Sequence, residues 1–249
     1  MPARVRATQV LAAVAAVALC GCGVVTTEGA APPTSGVATP QGEVPGVPRP
    51  ETTTRAVPTA RVVPTATAPP SPAAVEIPAE GTGGFAVATG GTDQVGTGRL
   101  IRYTVEVEAG LPFTPAEIAG AVDATLADPR GWTALGDHAF QRTEAGGDLR
   151  VLLATPATTD ALCAPLRTRG EVSCRTGALV VINARRWADG VESYGDALDA
   201  YREYVVNHEV GHALGFGHVT CPGAGEPAPV MLQQTYGLDG CLPNPWPDP

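Results

Sequence analysis

The sequence predicts an α+β domain built on a mixed sheet and set behind a long segment that cannot bury a core. Three observations predict it. Short alternating or apolar runs between residues 102 and 183 read as strands, a capping box opens a helix among them, and a long helical pattern follows toward the C-terminus. Residues 23–98 are dominated by Pro, Thr, Ala, Val and Gly, which leaves 99–249 as the folded part of the 249-residue chain. That remainder is long enough for one domain with a sizeable core.

Taken in order, residues 1–22 read as a targeting segment: Arg4 and Arg6 precede an apolar run over 10–19 that is short for a bilayer span. Leu19-Cys20-Gly21-Cys22 has the form of a bacterial lipobox, so Cys22 is expected to be the lipidated mature N-terminus and to anchor the chain to a membrane. An ordinary secretory peptide or an uncleaved anchor are the alternatives. Residues 23–98 carry Pro32-Pro33, Val57-Pro58, Val63-Pro64 and Pro69-Pro70-Ser71-Pro72, a composition that favours extended polyproline conformations and a semi-rigid spacer. Its threonines are candidate glycosylation sites, and a processed pro-segment is the competing reading.

Within 99–249, residues 102–108 alternate Tyr103, Val105 and Val107 with polar side chains, as a half-buried strand does. Thr114-Pro115-Ala116-Glu117 is a capping box with proline at the first helical position, and Asp128-Pro129 should end that helix. Strands are expected at 139–143 and 148–154, the second carrying Val151-Leu152-Leu153, and a short helix at 158–166. Residues 171–174 and 178–183 read as a hairpin about Arg175-Thr176-Gly177, with Arg185-Arg186 as a solvated strand end. A long helix is expected over 194–214, where Leu198, Tyr201, Val205, His208 and His212 recur at helical spacing. No internal repeat is visible.

That helix holds the most specific signal in the chain. Residues 208–218 read H-E-x-x-H-x-x-G-x-x-H and contain three of the four histidines. Positions four apart share a helix face, so His208 and His212 can offer two imidazole nitrogens to one metal ion. Glu209 is offset from that row, where a general base for a metal-bound water is needed. His218 returns to the metal only if the helix ends and the chain bends back, and Gly215 and Gly217 supply the freedom to do so. Three neutral imidazoles and one open position describe a catalytic zinc (Zn2+) site, whereas a structural site is usually closed by four protein ligands. The chain's own residue frequencies give about 10⁻⁵ chance matches, and a surface helix with idle histidines, or a zinc site that has lost activity, are the bland alternatives.

Met231 is the sole internal methionine, a short loop after His218 in Pro229-Val230-Met231-Leu232, and taken alone it could simply fill a core gap. With these residues in view, the stretch 180–246 resembles the zinc-binding half of a metzincin metalloprotease. Tyr204-Val205-Val206-Asn207 and Cys221-Pro222-Gly223 also resemble an uncharacterised family of actinobacterial secreted proteins and lipoproteins. The metzincin resemblance implies a zincin domain with a twisted mixed sheet, a zinc-bearing active-site helix and a short C-terminal Met-turn region. It implies peptide hydrolysis with His208, His212 and His218 as ligands, Glu209 as base and Met231 in the Met-turn. Two departures stand out: glycines and prolines after Met231 leave room only for a short helix around 232–236, and Gln233 sits where some metzincins place a tyrosine, the nearest being Tyr236.

Net charge is −9, and the chain contains arginine but no lysine, so the basic stripe that nucleic-acid binding requires is missing. Cys163, Cys174, Cys221 and Cys241 lack zinc-knuckle spacing and read as two disulfides of an exported, extracytoplasmic protein. Of three pairings, Cys163 with Cys174 and Cys221 with Cys241 are favoured, each contributing about 3 kcal/mol. The leading expectation is an exported, monomeric zinc endopeptidase acting on peptide or protein substrates at the cell envelope, and a groove along residues 178–183 with a metal at its centre is the structural observation that would favour it. A non-catalytic module binding peptide or wall material, and a zinc amidase acting on peptidoglycan, are the competing functions.

The lipobox leads to the first prediction. Mass spectrometry of the mature N-terminal peptide should find diacylglycerol on Cys22, and a soluble form beginning at another residue would favour ordinary secretion.

Overall fold

The structure, a computed structural model, describes residues 75–247. The expected signal segment, Cys22 and most of the proline-rich spacer lie outside the described residues. The fold is α+β, and its sheet is mixed. Strands run in the order β2 (Val95–Gly96), β4 (His138–Arg142), β3 (Arg99–Glu108), β5 (Leu149–Ala154), β7 (Leu179–Asn183), β6 (Cys174–Thr176), while β1 (Phe85–Val87) pairs with the end of β3. Strands β4, β3, β5 and β7 are parallel, and β1, β2 and β6 are antiparallel additions at the margins.

The inner strands β5 and β7 are buried on both faces, which explains their near-continuous apolar runs, whereas β3 alternates apolar with polar side chains. On one face Val105, Val107, Val151, Leu153, Val180 and Ile182 pack under α1 (Pro115–Ala127) and α4 (Leu198–Leu214). On the other, Leu152, Ala154 and Val181 meet α2 (Pro156–Cys163) and the disulfide between Cys163 and Cys174. The second bridge joins Cys221 to Cys241, so both favoured pairings are present.

Helix α1 starts as expected: Thr114 accepts from the Glu117 amide at 3.2 Å while Glu117 accepts from the Thr114 amide at 3.0 Å. Helix α2 begins and ends earlier than its expected span of 158–166, because Pro156 suits the first turn and Pro165 disfavours helical backbone at Ala164. The hairpin shifts along the chain, with β6 at 174–176 and the turn at Gly177-Ala178, Gly177 having φ 56°. Arg185-Arg186 are not a strand end: Asn183 caps a short helix α3 (Ala184–Asp189) by accepting from the Arg185 amide. Helix α4 starts at Leu198, behind a 3₁₀ turn at Glu192–Tyr194. Residues 232–236 form turns instead of the short helix expected there. Among the described residues, no helix is long and apolar enough to cross a membrane.

The boundary expected at residue 98 falls too late. Within the expected spacer the last proline is Pro78, and β1 and β2 join the sheet from the remainder of that segment. At Gly98, with φ 87°, a Cβ would lie 2.4 Å from the Asp137 carbonyl oxygen, so the entry into β3 demands glycine.

Glu108 ties this early segment to the sheet. Its carboxylate is almost fully buried and accepts from the Gly83 amide at 2.8 Å, the Thr155 amide at 2.7 Å and the Thr158 hydroxyl at 2.6 Å. Burial alone would raise its pKa, but these donors outweigh it and hold the group below the usual carboxylate range. A depressed folded pKa stabilises above the unfolded value and is lost as pH falls through the folded one. Glu108→Gln should therefore lower stability at neutral pH by about 2 kcal/mol and make acid unfolding shallower. Equilibrium urea unfolding across pH checks this, and parallel pH profiles for both proteins would contradict it.

Candidate metal centre

Helix α4 places His208 and His212 one turn apart, and the structure brings His218 to them. Nε2 of His218 lies 3.3 Å from Nε2 of His208 and 3.0 Å from Nε2 of His212, and one ligand atom from each ring falls within 4.8 Å of the others. Tetrahedral nitrogen ligands each about 2.0–2.1 Å from one ion sit about 3.4 Å apart, so the cluster is close to the size of a metal site. The burial is graded, from buried His208 through His212 to exposed His218.

The return of His218 is built by the end of α4. Gly215, with φ 103°, donates its amide to the His212 carbonyl, and the Phe216 amide bonds the Gly211 carbonyl at 3.0 Å. These are the two bonds of a Schellman stop, which needs a residue free to adopt the left-handed region. Phe216 then stacks on Trp132, ring centroids 4.7 Å apart, and the Val219 amide bonds the Met231 carbonyl at 3.2 Å. His218 is thereby fixed between two anchored neighbours.

Ring orientation follows from backbone acceptors. Nδ1 of His208 lies 2.8 Å from the Val230 carbonyl, and Nδ1 of His212 lies 2.9 Å from the Phe216 carbonyl. A carbonyl can only accept, so both Nδ1 atoms carry the proton and both Nε2 atoms turn a lone pair into the cluster. Burial, opposed by the Val230 carbonyl but reinforced by the other two imidazoles, pushes the His208 pKa down to about 3, and burial lowers His218 as well. Neutral imidazoles with converging lone pairs and protonated outer nitrogens are the donor set a metal ion requires. The three residues could hold one.

Glu209 shares a cleft of about 340 Å³ with the three histidines, and burial pushes its pKa up to about 8. Gln233 and Tyr236 line the same cleft. Its sheet-side wall is Cys174 and Arg175 on β6, not the 178–183 strand, because β7 is interior and β6 forms the edge.

Met231 is buried, and its sulfur packs against α4 where Gly211 leaves room: a Cβ there would lie 2.4 Å from Met231 Sδ and 2.6 Å from Trp132 Cζ2. Several supporting residues gave no signal in the sequence. The Tyr204 hydroxyl donates to the Leu232 carbonyl at 2.9 Å and accepts from the Gln234 amide. Gln234, fully buried, accepts from Tyr194 and from the Asn244 amide while donating to the Pro229 and Asn244 carbonyls. The one local pattern that could have pointed to this network is the placing of Tyr204 one turn before His208.

Fold and site together define an α+β protein with a three-histidine cluster able to hold a metal ion. The chain belongs to the family described as Protein of unknown function (DUF3152), which matches residues 71–247. No curated protein and no solved structure matches it.

Two substitutions probe the centre. His212→Ala should abolish stoichiometric zinc retention in metal analysis after chelation and reconstitution, and unchanged zinc content would remove His212 from the ligand set. Gly211→Ala forces Met231 and Trp132 apart and should cost about 2 kcal/mol in thermal or urea unfolding. A Tm equal to the parent's would show that the contact is slack.

Proposed function

We propose that this chain is an exported, metzincin-like zinc endopeptidase that hydrolyses peptide bonds at the cell envelope. One observation carries the reading: three imidazoles with converging Nε2 atoms and the carboxyl of Glu209 line a single cleft bordered by an antiparallel edge strand. The mixed sheet, the histidine-bearing helix α4 and a methionine packed against that helix support the fold-level likeness. The two disulfides fit an oxidising, extracytoplasmic location.

Zinc held by His208, His212 and His218 would supply Lewis acidity toward the scissile carbonyl and a lowered pKa for attacking water. The chain's own residues do the rest. His208 and His212 are oriented by the Val230 and Phe216 carbonyls, which accept from their Nδ1–H groups and leave both Nε2 lone pairs facing the cluster. Glu209, made more basic by burial, takes a proton from the attacking water and returns it to the leaving amine. Tyr236, five residues after Met231, lines the cleft, whereas Gln233 occupies the position two after the methionine.

Zinc-dependent turnover of a peptide library, set beside peptidoglycan fragments, tests the proposal and separates peptidase from wall amidase. Glu209→Gln should keep the metal and lower kcat by about 10³-fold. Equal turnover by variant and parent would remove Glu209 from the chemistry. Zinc binding without turnover of any peptide or wall fragment would leave a binding module as the reading.

A further inference from the structure

The cleft beside the histidines carries an unusual charge for so acidic a chain. Two arginines, Arg167 and Arg175, line it, and Glu209 is the sole acidic residue among its lining side chains. Both arginines are exposed, and the ion pairs formed among the described residues involve Arg130, Arg142, Arg150 and Arg202 instead. Among the described residues, no carboxylate forms an ion pair with either of them.

Strand geometry aims one of them. Side chains alternate along β6: Cys174 enters the apolar cluster under α2, so Arg175 faces the opposite side of the sheet. Its cross-strand partner Val180 belongs to the core beneath α4, which places Arg175 on the face that carries the histidine helix. Arg167 lies on a loop with fixed ends. The disulfide from Cys163 to Cys174 ties the start of that loop to β6. Just past Arg167, Asp160 accepts from the Thr168 hydroxyl and from the Gly170 amide at 2.7 Å. The loop and edge strand that present the two guanidinium groups are therefore stapled to each other.

Charge changes across the site. A neighbouring hollow of about 310 Å³ shares His218, Gln233 and Tyr236 with the cleft, and the carboxylate that lines it is Asp239. One side of His218 is thus cationic and the other carries a carboxylate.

We propose that Arg167 and Arg175 form a carboxylate-binding wall and make the site select peptides with an acidic side chain on the β6 side of the scissile bond. Guanidinium groups suit this role because they stay charged and pair with carboxylates in fixed fork geometry. The cleavage part rests on the peptidase reading above, whereas the carboxylate preference is a property of the wall itself.

The test uses zinc-loaded full-length protein and matched peptides that differ by Glu, Gln or Lys at each position around the cleaved bond. Glu peptides should exceed their Gln counterparts by about tenfold in kcat/KM, at positions on one side of the bond. Arg175→Ala or Arg167→Ala should collapse that ratio toward one, Arg175→Lys should restore part of it, and Arg175→Glu should shift preference to Lys peptides. Arg102→Ala, outside the cleft, should leave the ratio intact. Dissociation constants of labelled Glu and Gln peptides on the Glu209→Gln protein provide an arm independent of turnover. A binding preference lost in the arginine variants supports the wall even if the parent cleaves nothing, which would sink the peptidase reading alone. Equal affinity and equal turnover of Glu and Gln peptides, or variants that lower all peptides alike, would overturn the proposal.

Discussion

Three converging imidazole nitrogens, two of them within 3.3 Å of the third, set the constraint on which the rest of this structure depends. Two of them are committed as lone pairs by carbonyls behind their rings. A proton on His218 can satisfy one of these, but a cation satisfies all three at once. Holding them together requires a helix that stops one turn after His212, a chain that doubles back, and a loop that supplies the Val230 carbonyl. Each requirement traces to identifiable residues: Gly215 for the stop, Phe216 on Trp132 for the return, and the 229–234 turn for the carbonyl.

That turn is secured without a long C-terminal helix behind it. Its support is a buried polar network centred on Gln234, in which Tyr194, Tyr204 and Asn244 satisfy or are satisfied by the loop. Each such bond contributes about 1 kcal/mol net, but losing one partner leaves a buried group unpaired at about 1–3 kcal/mol. The bridge from Cys221 to Cys241 encloses Met231, and the backbone bonds from Gly225 to Gly240 and from Ala228 to Leu242 close the same loop. Segment 244–246 lies against the helix as well, through the Asn207 side chain donating to the Pro245 carbonyl at 2.9 Å. Small scale and many cross-ties replace length.

Much of this was legible in the sequence because its signals are local. The capping box at Thr114, the apolar run of β5 and the spacing of His208, His212 and His218 depend on residues near one another, and each appears where expected. Signals that depend on partners far along the chain were not legible. Phe85 to Val87 read as spacer because three residues cannot show a period, and they become a strand only where β3 offers its free edge. Arg185-Arg186 read as a strand end because the Asn183 cap that turns them into helix is a side-chain bond of one residue. The interior place of β7, and hence the edge position of β6, follows from pairing with β5 and from no pattern within either strand.

The central claim is that this cluster is a three-nitrogen metal site with one position open to water. Zinc K-edge X-ray absorption on the reconstituted protein tests it most directly. The account predicts three imidazole nitrogens at about 2.0–2.1 Å and one oxygen in four-coordinate geometry. Sulfur in the coordination shell, an all-oxygen shell, or a fourth protein nitrogen closing the site would contradict it.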